Sequence, residues 1–138
     1  MNREDFRKLA ETRLEDAKAL LEAGRFDAAY YLAGYAVECA LKACISRHTR
    51  EFDFPPKSAS DYYTHDLSKL LGASKLKDKL EESFKTDEAL AGYWDVVKDW
   101  KEDSRYDSVP AAEARARDLI EAISEAEHGV LQCLSRYW

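Results

Sequence analysis

Phe6, Leu9, Ala10, Leu14, Ala17, Leu20 and Leu21 recur at steps of three and four residues, the spacing that gathers apolar side chains on one face of an α-helix. The pattern predicts a first helix from about Asn2 to Ala23, stopped by Gly24, because glycine accepts the left-handed conformation that ends helices. A second helix is predicted from Phe26 to His48, with Asp27 in its first turn, where a carboxylate meets the positive end of the helix dipole. Ala29, Ala33, Ala36 and Ala40 are interleaved there with Phe26, Tyr30, Val37, Leu41 and Cys44. Residues this small let neighbours approach along the whole length, so this is predicted to be the central helix.

The next stretch, TREFDFPPKSASDYY, has a Pro-Pro pair, serines and no period, and reads as a long loop. Thr64 is then placed to cap a short helix through Leu71, Ser74 another through Phe84, and Thr86 a third from Asp87 to about Lys101. In each case a hydroxyl precedes the helical pattern and can accept from free N–H groups of the first turn. The third would turn Leu90, Tyr93, Trp94, Val97 and Trp100 inward. After the polar break EDSRYDS, Ser108 caps and Pro110 opens a long last helix to about Arg136, with Ala112, Ala116, Leu119, Ile120, Ile123, Val130 and Leu134 inward. The expectation is an all-α, up-and-down bundle of about five helices, four of them long, with the long loop after helix 2. No repeat or second domain interrupts residues 1–138.

Composition narrows the function. A chain of 138 residues can bury one sizeable core, and its 5 Gly and 3 Pro favour long uninterrupted helices. A net charge of −6 argues against broad coating of nucleic acid, which needs clustered Lys and Arg, but leaves room for a local basic site. No run approaches the roughly 20 apolar residues of a membrane span, and the polar start MNREDFRKLAETRLED lacks the apolar core of a signal peptide. A cytoplasmic protein without membrane contact is expected. Cys39, Cys44 and Cys133 are odd in number, without Cys-x-x-Cys spacing, and lie in apolar helical patterns. They read as reduced packing residues, with no metal and no cofactor called for.

Three groups of residues could carry chemistry. On a helical wheel Tyr31, Tyr35, Glu38 and Lys42 fall on one stripe of the second helix, opposite its apolar face. This is either a solvated flank with an i,i+4 ion pair or a buried polar groove or subunit interface. His65 and Asp66 open the helix after the long loop. Asp66 suits the helix dipole, and His65, which titrates near neutral pH, either bonds the loop or points into a shared site. Ser104, Arg105, Tyr106 and Asp107 place a guanidinium, a phenol and a carboxylate on the turn before the last helix. Arg105 there can grip a phosphate bidentately or pair with Glu38 or Asp103 and lock the turn. Phosphate loops, HExxH, GxSxG and paired Cys/His ligands are all absent from the sequence.

Taken together, AAYYLAGYAVECALKACI, then HDLSKLL after a long loop, then SRYD before the final helix resemble the HEPN family of prokaryotic helical domains, over about Leu14 to Val130. The resemblance implies a helical bundle that commonly forms a homodimer. It also implies a companion small nucleotidyltransferase in a two-gene, toxin–antitoxin type module, and nucleotide or RNA binding. Its matching positions are Glu38 and Lys42, His65 and Asp66, Arg105 and Tyr106. RNA-cutting members carry an Arg followed four to six residues later by His. Here Arg105 is followed by YDSVPAAEAR, so that RNase mechanism is not carried over. The expected function is a nucleotide- or RNA-binding module rather than an enzyme, with Arg105, Tyr106, His65 and Lys42 toward the phosphate and Tyr31, Tyr35, Glu38, Asp66 and Asp107 as supports or dimer contacts. An RNase with a rearranged site and a purely structural interaction protein are the alternatives.

Overall fold

The computed structural model describes residues 2–48, 63–101 and 112–138. They are helical throughout their regular structure: α1 Arg3–Glu22, α2 Phe26–His48, α3 Leu67–Ser74, α4 Lys77–Thr86, α5 Glu88–Lys98, α6 Glu113–Ser124 and α7 Val130–Leu134. The all-α bundle expected from the apolar spacing is the architecture observed.

Local chemistry sets the ends of α1. Asn2 accepts from the Asp5 N–H while the Asp5 carboxylate accepts from the Asn2 N–H, a reciprocal capping box. At the other end Gly24 takes a φ of 76°, and Arg25 N–H and Gly24 N–H return to the carbonyls of Leu20 and Leu21. This pair of bonds closes the helix and reverses the chain within Ala23, Gly24 and Arg25. α2 thereby folds back along α1 and meets α3, α6 and α7 on its other sides.

The alanine pattern of α2 has the expected result. Ala29, Ala33, Ala36, Ala40 and Ala43 are fully buried, as are Val37, Leu41 and Cys44. Arg115 of α6 lays its guanidinium 4.4 Å from the Tyr30 ring centre and donates to the Tyr30 hydroxyl at 3.0 Å, a cation–π contact with a polar end. Near the other end of α2, Cys44 lies 3.7 Å from the Leu134 carbonyl and Arg47 donates to that of Trp138. All three cysteines are free and buried, as packing residues should be.

Gly34 is the one gap in this helix surface. A Cβ built there would lie 2.1–2.3 Å from the indole of Trp100, so the ring rests directly on the α2 backbone. Trp100 is 2% exposed, and it holds the end of α5 against the middle of the bundle.

Several element ends differ from the sequence reading. The cap of α3 is Asp66, which accepts from Lys69 N–H at 3.1 Å, while Thr64 accepts from Asp66 N–H. Helix α3 runs on through Ser74, whose hydroxyl donates to the Leu71 carbonyl and accepts from Leu76 N–H instead of capping α4. The cap of α5 is Asp87, accepting from Leu90 N–H, while Thr86 closes α4 by donating to the Ser83 carbonyl. At α3 and α5 alike, the carboxylate near the hydroxyl takes the cap. The predicted last helix is also divided: the Glu125 carboxylate accepts from the N–H groups of Glu127 and His128, and a Cβ on Gly129 would meet the Glu125 carbonyl at 2.4 Å. A side chain competing for backbone donors, followed by a glycine, is enough to interrupt a helix. The loop at 49–62 and the segment 102–111 lie outside the described residues.

The turn so formed is clasped to α5. His128 Nδ1 lies 2.9 Å from Asp87 Oδ2. This hydrogen bond, more than the one from Leu90 N–H, holds the Asp87 carboxyl below its ordinary range, and it also holds the His128 imidazole above its own. A lowered carboxyl stabilises the fold above its unfolded pKa and stops doing so as pH falls through the folded value. A raised imidazole stabilises below its unfolded pKa and stops doing so as pH rises through the folded value.

The Gly34–Trp100 seat and the His128–Asp87 clasp can each be tested. Gly34→Ala should cost about 1–3 kcal/mol by overpacking against Trp100, read by urea unfolding; combined with Trp100→Leu the loss should be smaller than the sum of the two single losses. The stability gap between the wild type and His128→Gln should be widest between pH 3.8 and 6.5, the ordinary values of the two groups, and should narrow on both sides. A gap that is flat in pH would count against the clasp.

Candidate functional site

The polar stripe of α2 is not a solvated flank. Glu38 is 1% exposed, and a carboxylate taken that far from water needs cationic or hydrogen-bonding partners. It has two. Lys42, one turn along α2, approaches Oε2 at 3.4 Å, and His65 Nδ1 lies 2.7 Å from Oε1. The Glu38–Lys42 pair expected from i,i+4 spacing is present, but buried rather than on a wet surface. The stripe proves to be a continuation of the buried girth of the helix.

Backbone geometry fixes His65 in this contact. It stands just before α3, between Thr64, whose hydroxyl takes the Asp66 N–H, and Asp66, whose carboxylate takes the Lys69 N–H. Its side chain remains about half exposed, at 51%, while Glu38's is at 2%. One ring nitrogen is thus engaged while about half of the side chain stays open. Its observed partner lies on α2, and residues 49–62, which the sequence reading also offered as its partner, lie outside the described residues.

The open side belongs to a cleft of about 510 Å³ lined by Thr64, His65, Asp66 and Ser68 from the start of α3, and by Lys98, Trp100 and Lys101 from the end of α5. Lys98 also pairs with Asp95 at 3.0 Å, whose hydrogen bond and charge raise the Lys98 pKa. The other stripe residues lie alongside. Tyr31 and Tyr35 stack with centroids 6.4 Å apart and planes within 3°, and Tyr31 also meets Trp100 at 6.2 Å. Burial first, then neighbouring Cys39, pushes the Tyr35 phenol up to about 12. Burial likewise pushes the Cys39 thiol up to about 12. Neither is ionised near neutral pH, so neither is a ready nucleophile.

The structure therefore brings together Glu38, Lys42 and His65, and sets Asp66 beside them as a helix cap. Lys42 does not line the cleft; it neutralises Glu38 from behind. Arg105, Tyr106 and Asp107, with Ser104, lie outside the described residues. Sequence reading did not single out Lys98 and Lys101; Trp100, expected in the core, is buried there and also borders the cleft. The available signal was two lysines three residues apart, flanking a tryptophan at a helix end.

By its described elements the protein is of the all-α, helical-bundle class. The chain matches the HEPN domain model over residues 3–131, and it belongs to the HEPN domain family. Neither the curated proteins nor the solved structures compared with it gave a match. Membership points to a nucleotide- or RNA-related function, and HEPN domains often dimerise. Among the described residues, no helix is long and apolar enough to cross a membrane.

The network sets a stability expectation. Lys42→Met leaves Glu38 buried with His65 as its remaining partner among the described residues, and should destabilise the fold by up to about 3 kcal/mol in chemical denaturation. A loss below about 0.5 kcal/mol, the scale of an exposed pair, would show that Glu38 does not depend on Lys42.

Proposed function

We propose that this chain is a nucleotide- or RNA-binding HEPN module whose binding surface is the cleft between the start of α3 and the end of α5. The observation that carries this reading is the buried Glu38 carboxylate holding His65 at the edge of a cleft that also presents Lys98 and Lys101. An imidazole and two ammonium groups suit a phosphate, Thr64 and Ser68 offer hydroxyls to a sugar or phosphate oxygen, and Trp100 supplies an apolar wall. The cleft volume is in the range of small-ligand sites, roughly 300–1,000 Å³, which favours one nucleotide unit at a time. Arg105 and Tyr106 follow Lys101 by four and five residues in the chain, and they are proposed to add to the phosphate contacts, with Asp107 beside them.

In this reading residues 1–138 act as a single domain and as a cytoplasmic homodimer, with Tyr31 and Tyr35 near the contact between copies. The companion is a small nucleotidyltransferase-type protein in a two-gene, toxin–antitoxin type module. Family membership and frequent dimerisation among HEPN domains support this part of the reading. Binding occurs without turnover. The competing reading is an RNase, and one feature favours it: a buried carboxylate behind an exposed histidine is the arrangement an acid–base catalyst uses.

Replacing both Lys98 and Lys101 with Ala should weaken binding of a short single-stranded RNA about tenfold or more, and should flatten the dependence of log affinity on log salt, by roughly 0.7 for each phosphate that is no longer neutralised. Unchanged affinity and slope would place the site elsewhere. RNA cleavage by the wild type that disappears in His65→Ala would replace the binding module with the enzyme.

A further inference from the structure

Resting on the reading of the cleft as a phosphate site, we infer that Glu38 is a positioning residue that makes phosphate binding at His65 depend on uptake of a proton.

A carboxylate accepts hydrogen bonds and does not donate them. The 2.7 Å contact between Glu38 Oε1 and His65 Nδ1 therefore requires the hydrogen on Nδ1. In the neutral ring this leaves Nε2 as a bare lone pair on a half-exposed side chain that lines the cleft. A phosphate oxygen approaching Nε2 then meets lone pair against lone pair. Only the imidazolium, with hydrogens on both nitrogens, bonds Glu38 on one side and the phosphate on the other. The site consequently takes its anion together with a proton, which ends on Nε2, and no covalent bond is made or broken.

Among the described residues, charged groups from α2, α3 and α5 bear on this balance. Glu38 from α2 bonds the ring, and Lys42 is bound to its other oxygen. Asp66 adjoins His65 in the chain, while Lys98 and Lys101 at the end of α5 share the cleft and oppose a further positive charge until an anion arrives. An incoming phosphate offsets that opposition, and this couples the two events. The burial of Glu38 prevents it from turning away to water, so the ring cannot reverse its donor pattern without depriving Oε1 of the hydrogen bond from Nδ1.

The test uses the whole chain and the ribodinucleotide ApA, whose bridging phosphodiester stays ionised throughout, so that any proton taken up belongs to the protein. Calorimetric titrations in buffers of different ionisation enthalpy should show uptake approaching about one proton per ApA bound, and affinity should fall about tenfold between about pH 6 and about pH 8. In His65→Gln, whose amide donates without titrating, both effects should vanish while binding persists. In Glu38→Gln affinity near neutral pH should drop and recover on acidification.

Binding of ApA without proton uptake overturns the inference and leaves the phosphate site standing. Failure of ApA to bind at either pH overturns the reading of the cleft itself. Should Glu38→Gln fail to fold, nitrogen NMR of His65 in the free wild-type protein decides the matter. A neutral ring protonated on Nδ1 supports the inference, and one protonated on Nε2 overturns it.

Discussion

The buried charge of Glu38 is the constraint around which the central part of this molecule is arranged. A carboxylate inside a helical core costs several kcal/mol unless its oxygens are matched, and α2 alone can supply only Lys42, one turn away. The second partner comes from further along the chain, through His65. This requirement draws the start of α3 onto α2 and holds it there with a directional contact, where apolar packing of Leu67 and Leu70 would fix only the general position. The residue that stabilises the junction is also the one facing the cleft, so the support of the fold and the chemistry of the site converge on one ring.

Much of this was legible along the chain, because the rules involved are local. Alanines at steps of three and four marked α2 as central, and Gly24 marked the reversal after α1. The spacing of Glu38 and Lys42 announced their pair. What the sequence did not disclose was burial: a wheel places Glu38 opposite the apolar face, but it cannot show that another segment covers that side. The cleft escaped for a similar reason. Lys98 and Lys101 look like ordinary surface lysines until Trp100, seated on Gly34, brings the end of α5 beside His65. The misassigned caps have a different origin. At Thr64–Asp66 and Thr86–Asp87 a hydroxyl and a carboxylate compete within two residues, and the carboxylate accepts more strongly.

The division of the last predicted helix shows how a short-range competition reaches distant elements. Apolar spacing runs on from Leu119 to Leu134 and supports one helix, yet Glu125 captures the N–H groups that would continue it, and His128 turns toward Asp87. The break therefore coincides with a tie to α5, the helix whose other end forms one wall of the cleft.

Trp100 also gives the molecule an optical property. Its indole has the backbone at Gly34 on one side and the cleft on another, with the Tyr31 ring centre 6.2 Å away, well within the range over which excited tyrosine passes its energy to tryptophan. The fold has placed a fluorophore where the core and the candidate ligand site share a wall. On the proposed reading of the cleft, an occupant there would alter its emission without any label, a signal set by one glycine that leaves room for the ring.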